Sequence, residues 1–151
     1  MTAVDDVRYR PIGVVHSPLV PDDHIPPRRI ESRGVEGTVE VFPDYVEGLR
    51  DLEGFSHIIL LCHLHLSTGY SLTVKPPSDT TTHGVFATRS PRRPNPISMT
   101  VVRLQRIEGK LLHVIDLDLV DTTPVLDIKP YTAPTSDDEV RTGWMGARPR
   151  S

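Results

Sequence analysis

The sequence predicts a mainly β fold: an antiparallel, β-barrel-like single domain over residues 1–146 with one or two short helices, followed by a disordered tail over 147–151. Three observations predict it. Segments with the two-residue alternation of a half-buried strand, such as Val35 to Phe42, outnumber segments with a helical period. Strands follow one another without the intervening helices of a βαβ rhythm, which disfavours a doubly wound Rossmann sheet and fits an antiparallel barrel or a strongly curved sheet. Fifteen prolines in 151 residues, roughly twice the ~5% average share, require short elements and many turns.

In chain order, Ile12-Gly13-Val14-Val15 forms the first strand. Val20 to Arg33, rich in Pro, Asp and Arg, is a long loop of the kind that usually carries function. In Val35 to Phe42, Val35, Gly37, Val39 and Val41 share one face, and Glu36, Thr38 and Glu40 the other. Pro43-Asp44 opens a short helix through Leu52, stopped by Gly54, with Val46, Leu49 and Leu52 inward. The apolar run Ile58-Ile59-Leu60-Leu61, inside Ser56 to Leu66, predicts a strand buried on both sides. Leu72 to Lys75 and Gly84 to Thr88 are short strands flanking a polar loop. Ile97 to Ile107 is a longer strand, and Glu108-Gly109 turns it into a partner over Leu111 to Val120. In that partner, Ile115, Leu117 and Leu119 face away from Asp116 and Asp118. Val125 to Tyr131 is the last strand. Ala133 to Glu139 is polar, and Trp144 and Met145 are placed to anchor the segment before the tail.

The length suits one hydrophobic core. No apolar run approaches the ~18 residues of a membrane span. The first residues lack the basic and apolar regions of a signal peptide, so a cytoplasmic protein without a membrane partner is expected. Cys62 is the only cysteine, which rules out an intrachain disulfide and a Cys-based zinc site. The formal net charge of −3 argues against a generic nucleic-acid binder. Local basicity is nevertheless concentrated at Pro26-Pro27-Arg28-Arg29 and Arg89-Ser90-Pro91-Arg92-Arg93, which together suit one positive face for a structured RNA.

Two segments carry the chemistry. In Gly84 to Ile97, three closely spaced prolines stiffen a loop that presents Arg89, Arg92, Arg93 and Asn95. Stiffness lowers the entropy cost of binding. Arginine pairs carboxylates and phosphates in bidentate fashion, and an asparagine amide matches a nucleobase edge. Surface arginines on a stiff turn are the plainer reading. In Asp118 to Tyr131, three carboxylates alternate with apolar residues around the turn Asp121-Thr122-Thr123-Pro124. Its backbone suits reading an adenine or an amino acid, although a capped turn between core strands explains the same composition. His57, His63 and His65 share a strand face at even spacing, yet no acidic residue or Cys nearby completes a metal set, so no metal is expected. His83 and His113 fit surface or turn positions.

These segments resemble the signature segments of the TrmO (YaeB/TsaA-like) family of S-adenosylmethionine-dependent tRNA methyltransferases. Ile12-Gly13-Val14-Val15-His16-Ser17-Pro18 is similar to that family's opening strand. Leu52-Glu53-Gly54-Phe55-Ser56-His57-Ile58 is similar to its helix-to-strand junction, and Asp138 to Trp144 resembles the end of its shorter members. The likeness runs from about Tyr9 to Trp144. It departs at Asp121-Thr122-Thr123-Pro124, where the family usually has Asp-Gly-Thr-Pro, and at Ser98, where glycine is common. It departs also at Leu66, where some members carry glutamine, and in the C-terminal domain of the larger bacterial members.

The resemblance implies a barrel-like fold and a homodimer with S-adenosyl-L-methionine near the interface. It implies cofactor contacts from Pro27, Arg28 and Arg29, from His65, from Arg89 and Met99, and from Asp118, Leu119, Val120 and Asp121. The implied acceptor is N6 of threonylcarbamoyladenosine in the tRNA anticodon loop. Arg92, Arg93 and Asn95 would bind that substrate, and Asp121 and Asn95 are the catalytic candidates. A small-molecule acceptor, or a non-catalytic S-adenosylmethionine-binding regulator, is the alternative.

Overall fold

A computed structural model describes residues 5–21, 33–132 and 140–147. Six strands close into an antiparallel barrel in the order β1-β2-β7-β6-β3-β8. They are β1 (Gly13–His16), β2 (Glu36–Val41), β3 (His57–His63), β6 (Ile97–Glu108), β7 (Leu111–Ile115) and β8 (Pro124–Pro130). A separate two-stranded ribbon, β4 (Thr73–Val74) with β5 (His83–Gly84), stands beside the barrel. Closure pairs both edges of each of the six barrel strands.

Alternation places the core. Val39 and Val41 of β2, Ile58, Leu60 and Cys62 of β3, Val102 of β6, and Leu112 and Val114 of β7 fill the interior, joined by Val15 and Val125. Each such fully buried Val, Leu or Ile side chain contributes about 1.5–3 kcal/mol over exposure. β1 and β2 approach closely because Gly13 and Gly37 have no Cβ. A methyl on Gly37 would sit 2.5 Å from Leu117 Cδ2 and 2.7 Å from the His16 carbonyl, and one on Gly13 would strike the Glu40 carbonyl.

Four local expectations are corrected. The segment after β2 is two 3₁₀ helices, Pro43–Leu49 and Leu52–Gly54, rather than one helix, broken where Asp51 takes a φ of 70°. Val46, Leu49 and Leu52 recur every third residue, which is the 3₁₀ period, and they do face inward. β3 is lined by the core on one side only: Ile59 and Leu61 alternate outward with partial exposure. Val85–Ala87 is a 3₁₀ turn rather than strand, because the Thr88 N–H and hydroxyl both donate to the Val85 carbonyl, at 3.1 and 2.8 Å.

The fourth correction shapes the site. β7 ends at Ile115, well short of Val120, because Asp116 adopts a φ of 72°. That left-handed residue reverses the alternation: Val114 and then Leu117 and Leu119 point into the barrel, while Ile115 points out. Residues 116–123 become a loop across one mouth of the barrel. Asp116 stabilises its own geometry by accepting Gly34 N–H at 2.7 Å and Arg103 Nε–H at 3.3 Å.

Candidate functional site

The C-terminal ends of β1, β3 and β7 and the N-terminal ends of β2, β6 and β8 gather at one mouth of the barrel. The 116–123 loop crosses it and is tied to its neighbours in turn. Asp116 and Leu117 N–H donate to the Val35 carbonyl before β2. Asp118 Oδ1 accepts the Thr100 hydroxyl of β6 at 2.9 Å. Asp121 Oδ1 accepts Ser17 N–H beyond β1 at 3.0 Å, and Asp121 and Thr122 N–H donate to Leu19 and Val15, both at 2.8 Å. Thr123 closes the turn on itself, its hydroxyl donating to the Val120 carbonyl at 2.7 Å.

His65 lies on the turn just past β3, off the strand face that carries His57 and His63. Its Nε2 is 3.4 Å from the Thr122 hydroxyl. Its Nδ1 is buried and has no hydrogen-bond partner. Burial, and then the nearby His63, hold its pKa below the usual histidine value, so the ring is neutral at neutral pH. Ser98 faces inward at the start of β6 opposite Cys62, its hydroxyl hydrogen-bonded to the thiol. The Cys62 thiol beside it is pushed up to about 12, first by burial and then by the Asp118 charge. Buried polar atoms are ordinarily paired, so the unpaired His65 Nδ1 at this mouth fits a polar ligand that completes it.

The arginine-rich loop flanks the same mouth. Leu64 N–H donates to the Pro96 carbonyl at 2.8 Å, and the Ser67 hydroxyl to the Pro91 carbonyl at 2.7 Å. His65 therefore sits between this loop and the 116–123 loop. Arg89, Arg92 and Asn95 are exposed. Arg93 does something different from what its sequence suggests: Nη1 donates to the Thr88 and Ser90 carbonyls at 3.0 and 3.1 Å and braces the loop from within. The base of the loop is also held by Trp144, whose Nε1–H donates to the Ala87 carbonyl at 2.8 Å and whose ring stacks on His83 at 4.3 Å. His83 in turn meets Asp79 at 2.5 Å. This latch was absent from the sequence reading of His83, although the Trp144 anchor was expected.

Of the other cofactor candidates, Asp118, Leu119, Val120 and Asp121 all lie on the mouth loop, with Leu119 buried. Met99 is on the outer face of β6, 55% exposed, paired with Leu61. Pro27, Arg28 and Arg29 lie outside the described residues, but the strands on either side of them, β1 and β2, end and begin at this mouth. Among the described residues, no three His, Cys, Asp or Glu side chains cluster to hold a metal ion. Ser98 and Thr100 were missed as site residues. Their signal was two polar residues on the inward-facing alternation that continues with Val102.

Comparison with known proteins converges on this architecture. The profile of the tRNA-methyltransferase O N-terminal domain matches residues 14–138. A probable S-adenosyl-L-methionine-binding protein of Pyrococcus abyssi is 50% identical over 139 residues, covering 91% of this chain and 75% of its own. A tRNA (adenine(37)-N6)-methyltransferase of Escherichia coli is 37% identical, covering 82% of this chain and 57% of its own. The crystal structure of TrmO from Pseudomonas aeruginosa superposes with a TM-score of 0.75 at 35% identity, covering 97% of this chain and 65% of its own. The chain thus spans less than two thirds of that structure and of the Escherichia coli enzyme.

Proposed function

The chain belongs to the family of the tRNA-methyltransferase O N-terminal domain, and from that membership we propose that it is an S-adenosyl-L-methionine-dependent methyltransferase acting on tRNA. The acceptor we assign is N6 of threonylcarbamoyladenosine beside the anticodon. The observation that carries the reading is the juxtaposition of His65, the 116–123 loop and the exposed arginine-rich loop at one barrel mouth. The tRNA (adenine(37)-N6)-methyltransferase activity of the Escherichia coli relative supports the acceptor.

The orphaned His65 Nδ1 fits a ligand rich in amino groups, and the backbone of Asp118 to Asp121 fits an adenine edge. When bound, the sulfonium supplies a methyl group whose departure leaves a neutral thioether, so no acid has to assist the leaving group. What remains for the protein is position and charge. Asp121 is held by Ser17 through Oδ1, and its Oδ2 is the atom we assign to take the N6 proton. Carbamoylation makes that proton more acidic than in adenosine, so a carboxylate suffices as base. Asn95 orients the base edge, and Arg92 meets the threonyl carboxylate or a phosphate.

Met99 contributes from outside the barrel, which suits a cofactor shared between two subunits. The outer face of β3 and β6 exposes Ile97, Met99 and Val101 beside Ile59 and Leu61. A second copy of this chain covering that stripe completes the proposed homodimer. No helix among the described residues is long and apolar enough to cross a membrane; tRNA as the proposed acceptor supports work in the cytoplasm.

The test is transfer of labelled methyl from S-adenosylmethionine to tRNA carrying unmethylated threonylcarbamoyladenosine. Label in that nucleoside is expected. Cofactor binding without transfer to tRNA favours the second reading, a small-molecule acceptor or a non-catalytic regulator, for which the net charge of −3 is the supporting observation.

A further inference from the structure

Thr122 is a β-branched residue in a conformation that suits glycine. Its φ is 69°, in the left-handed region, where a branched Cβ crowds the backbone. The turn imposes this shape. Asp121 N–H is fixed on Leu19, Thr122 N–H on Val15, and Thr123 N–H on Val120 at 3.3 Å. The side chain itself is exposed and adds no packing to the core. Among the described residues, its hydroxyl meets His65 Nε2, across 57 residues of sequence.

That contact bears on which nitrogen of His65 holds the proton. A neutral imidazole has one N–H and one bare nitrogen, and the hydrogen bond made by one fixes the role of the other. Here Nε2 meets a hydroxyl that accepts as readily as it donates, while Nδ1 is buried without a partner. A buried N–H left without an acceptor is rarer in proteins than an under-used acceptor. The arrangement that leaves the milder deficit puts the hydrogen on Nε2, donated to Thr122, and leaves Nδ1 bare.

We propose that Thr122 is a positioning residue: its hydroxyl accepts the His65 Nε2–H and thereby fixes the tautomer whose Nδ1 presents a lone pair to an amino group of S-adenosylmethionine. The ligand end of this inference rests on the cofactor reading above. The Thr122–His65 end does not, because it is a property of the ligand-free chain. A bare Nδ1 is complementary to the two nitrogen donors such a ligand carries, the α-ammonium and the adenine amino group. The depressed pKa of His65 acts in the same sense, since a protonated Nδ1 would repel either donor.

Nitrogen-15 NMR of the ligand-free protein at neutral pH separates a fixed tautomer from a mixture, and calorimetric titration with S-adenosylmethionine measures affinity. Three variants divide structure from positioning. Thr122→Val keeps the branch and removes the hydroxyl; Thr122→Ser keeps the hydroxyl; Thr122→Gly relieves the backbone. Wild type and Thr122→Ser are expected to show His65 as the Nε2–H form. Thr122→Val and Thr122→Gly should show a mixed tautomer and an affinity lower by about tenfold, the loss of one hydrogen-bonded orientation. Thr122→Gly should lose that affinity while melting at or above the wild-type temperature, which a merely structural role for Thr122 would not produce. An unchanged His65 tautomer in Thr122→Val, or a wild-type Nδ1–H form, overturns the proposal. Wild-type protein that binds no S-adenosylmethionine overturns the cofactor reading and the ligand end with it, whereas the NMR result on Thr122 and His65 still stands or falls alone.

Discussion

At the scale of single residues, three carboxylates, Asp79, Glu40 and Glu108, are held low by specific neighbours. Asp79 is held down to about 2, first by its hydrogen bond with His83 and then by the Thr80 N–H. Glu40 is lowered chiefly by His16 and Glu108 chiefly by Arg106. A carboxylate whose folded pKa lies below its unfolded value, about 3.9 for Asp, adds stability that is complete above the unfolded value. That stability is lost as pH falls through the folded one. Asp79→Asn should therefore melt below wild type at pH 6, and the gap should close between about pH 4 and pH 2. Differential scanning calorimetry across that range checks this, and a gap that persists at pH 2 counts against the His83–Asp79 contact. The ordinary titration of a solvated carboxylate is what the sequence alone suggests for Asp79; the ribbon that brings His83 back to it is a feature of the fold.

At the scale of elements, the arginine-rich loop divides labour between neighbours. Arg92 is exposed, whereas Arg93 spans two carbonyls of its own loop. Arg93→Ala should cost about 1–3 kcal/mol of stability in urea melts, the value of hydrogen bonds to a charged group. Arg92→Ala should change stability by less than about 0.5 kcal/mol and instead weaken tRNA binding in a filter assay. Equal stabilities for the two variants would remove the distinction. The sequence identified the loop and its stiffness, because prolines act locally. It could not tell Arg92 from Arg93, because that depends on which way the chain turns after Thr88, and the turn is a 3₁₀ turn closed by the Thr88 hydroxyl. The same limit applies to residues 116–123. Their alternation is genuine, but one left-handed residue, Asp116, turns strand into loop and supplies the site.

At the scale of the whole molecule, closing the barrel removes the free edges of its six strands, so association through the barrel uses a face. The outer stripe of β3 and β6 is the apolar one, with Val101 38% exposed at its centre beside Ile59. Val101→Asp should leave the circular dichroism spectrum unchanged and convert a dimer to a monomer by light scattering. A wild type that is already monomeric at high concentration would remove this face from the reading. The mainly β antiparallel fold, most of its strands and the stiff arginine-rich loop were legible in the sequence, whereas the 116–123 loop was read as strand. Alternation and turn chemistry are local, and the family segments occur in order along most of the chain. Which residues meet at the mouth was not legible. Ser17 reaches Asp121 across 104 positions and Thr122 reaches His65 across 57, and such pairs depend on barrel closure and register. The sequence determined an antiparallel β fold, barrel or strongly curved sheet, with a stiff cationic loop. Only the tertiary structure decided that a neutral histidine with an unpaired nitrogen would stand at its mouth, because burial and partnership are properties of the closed fold.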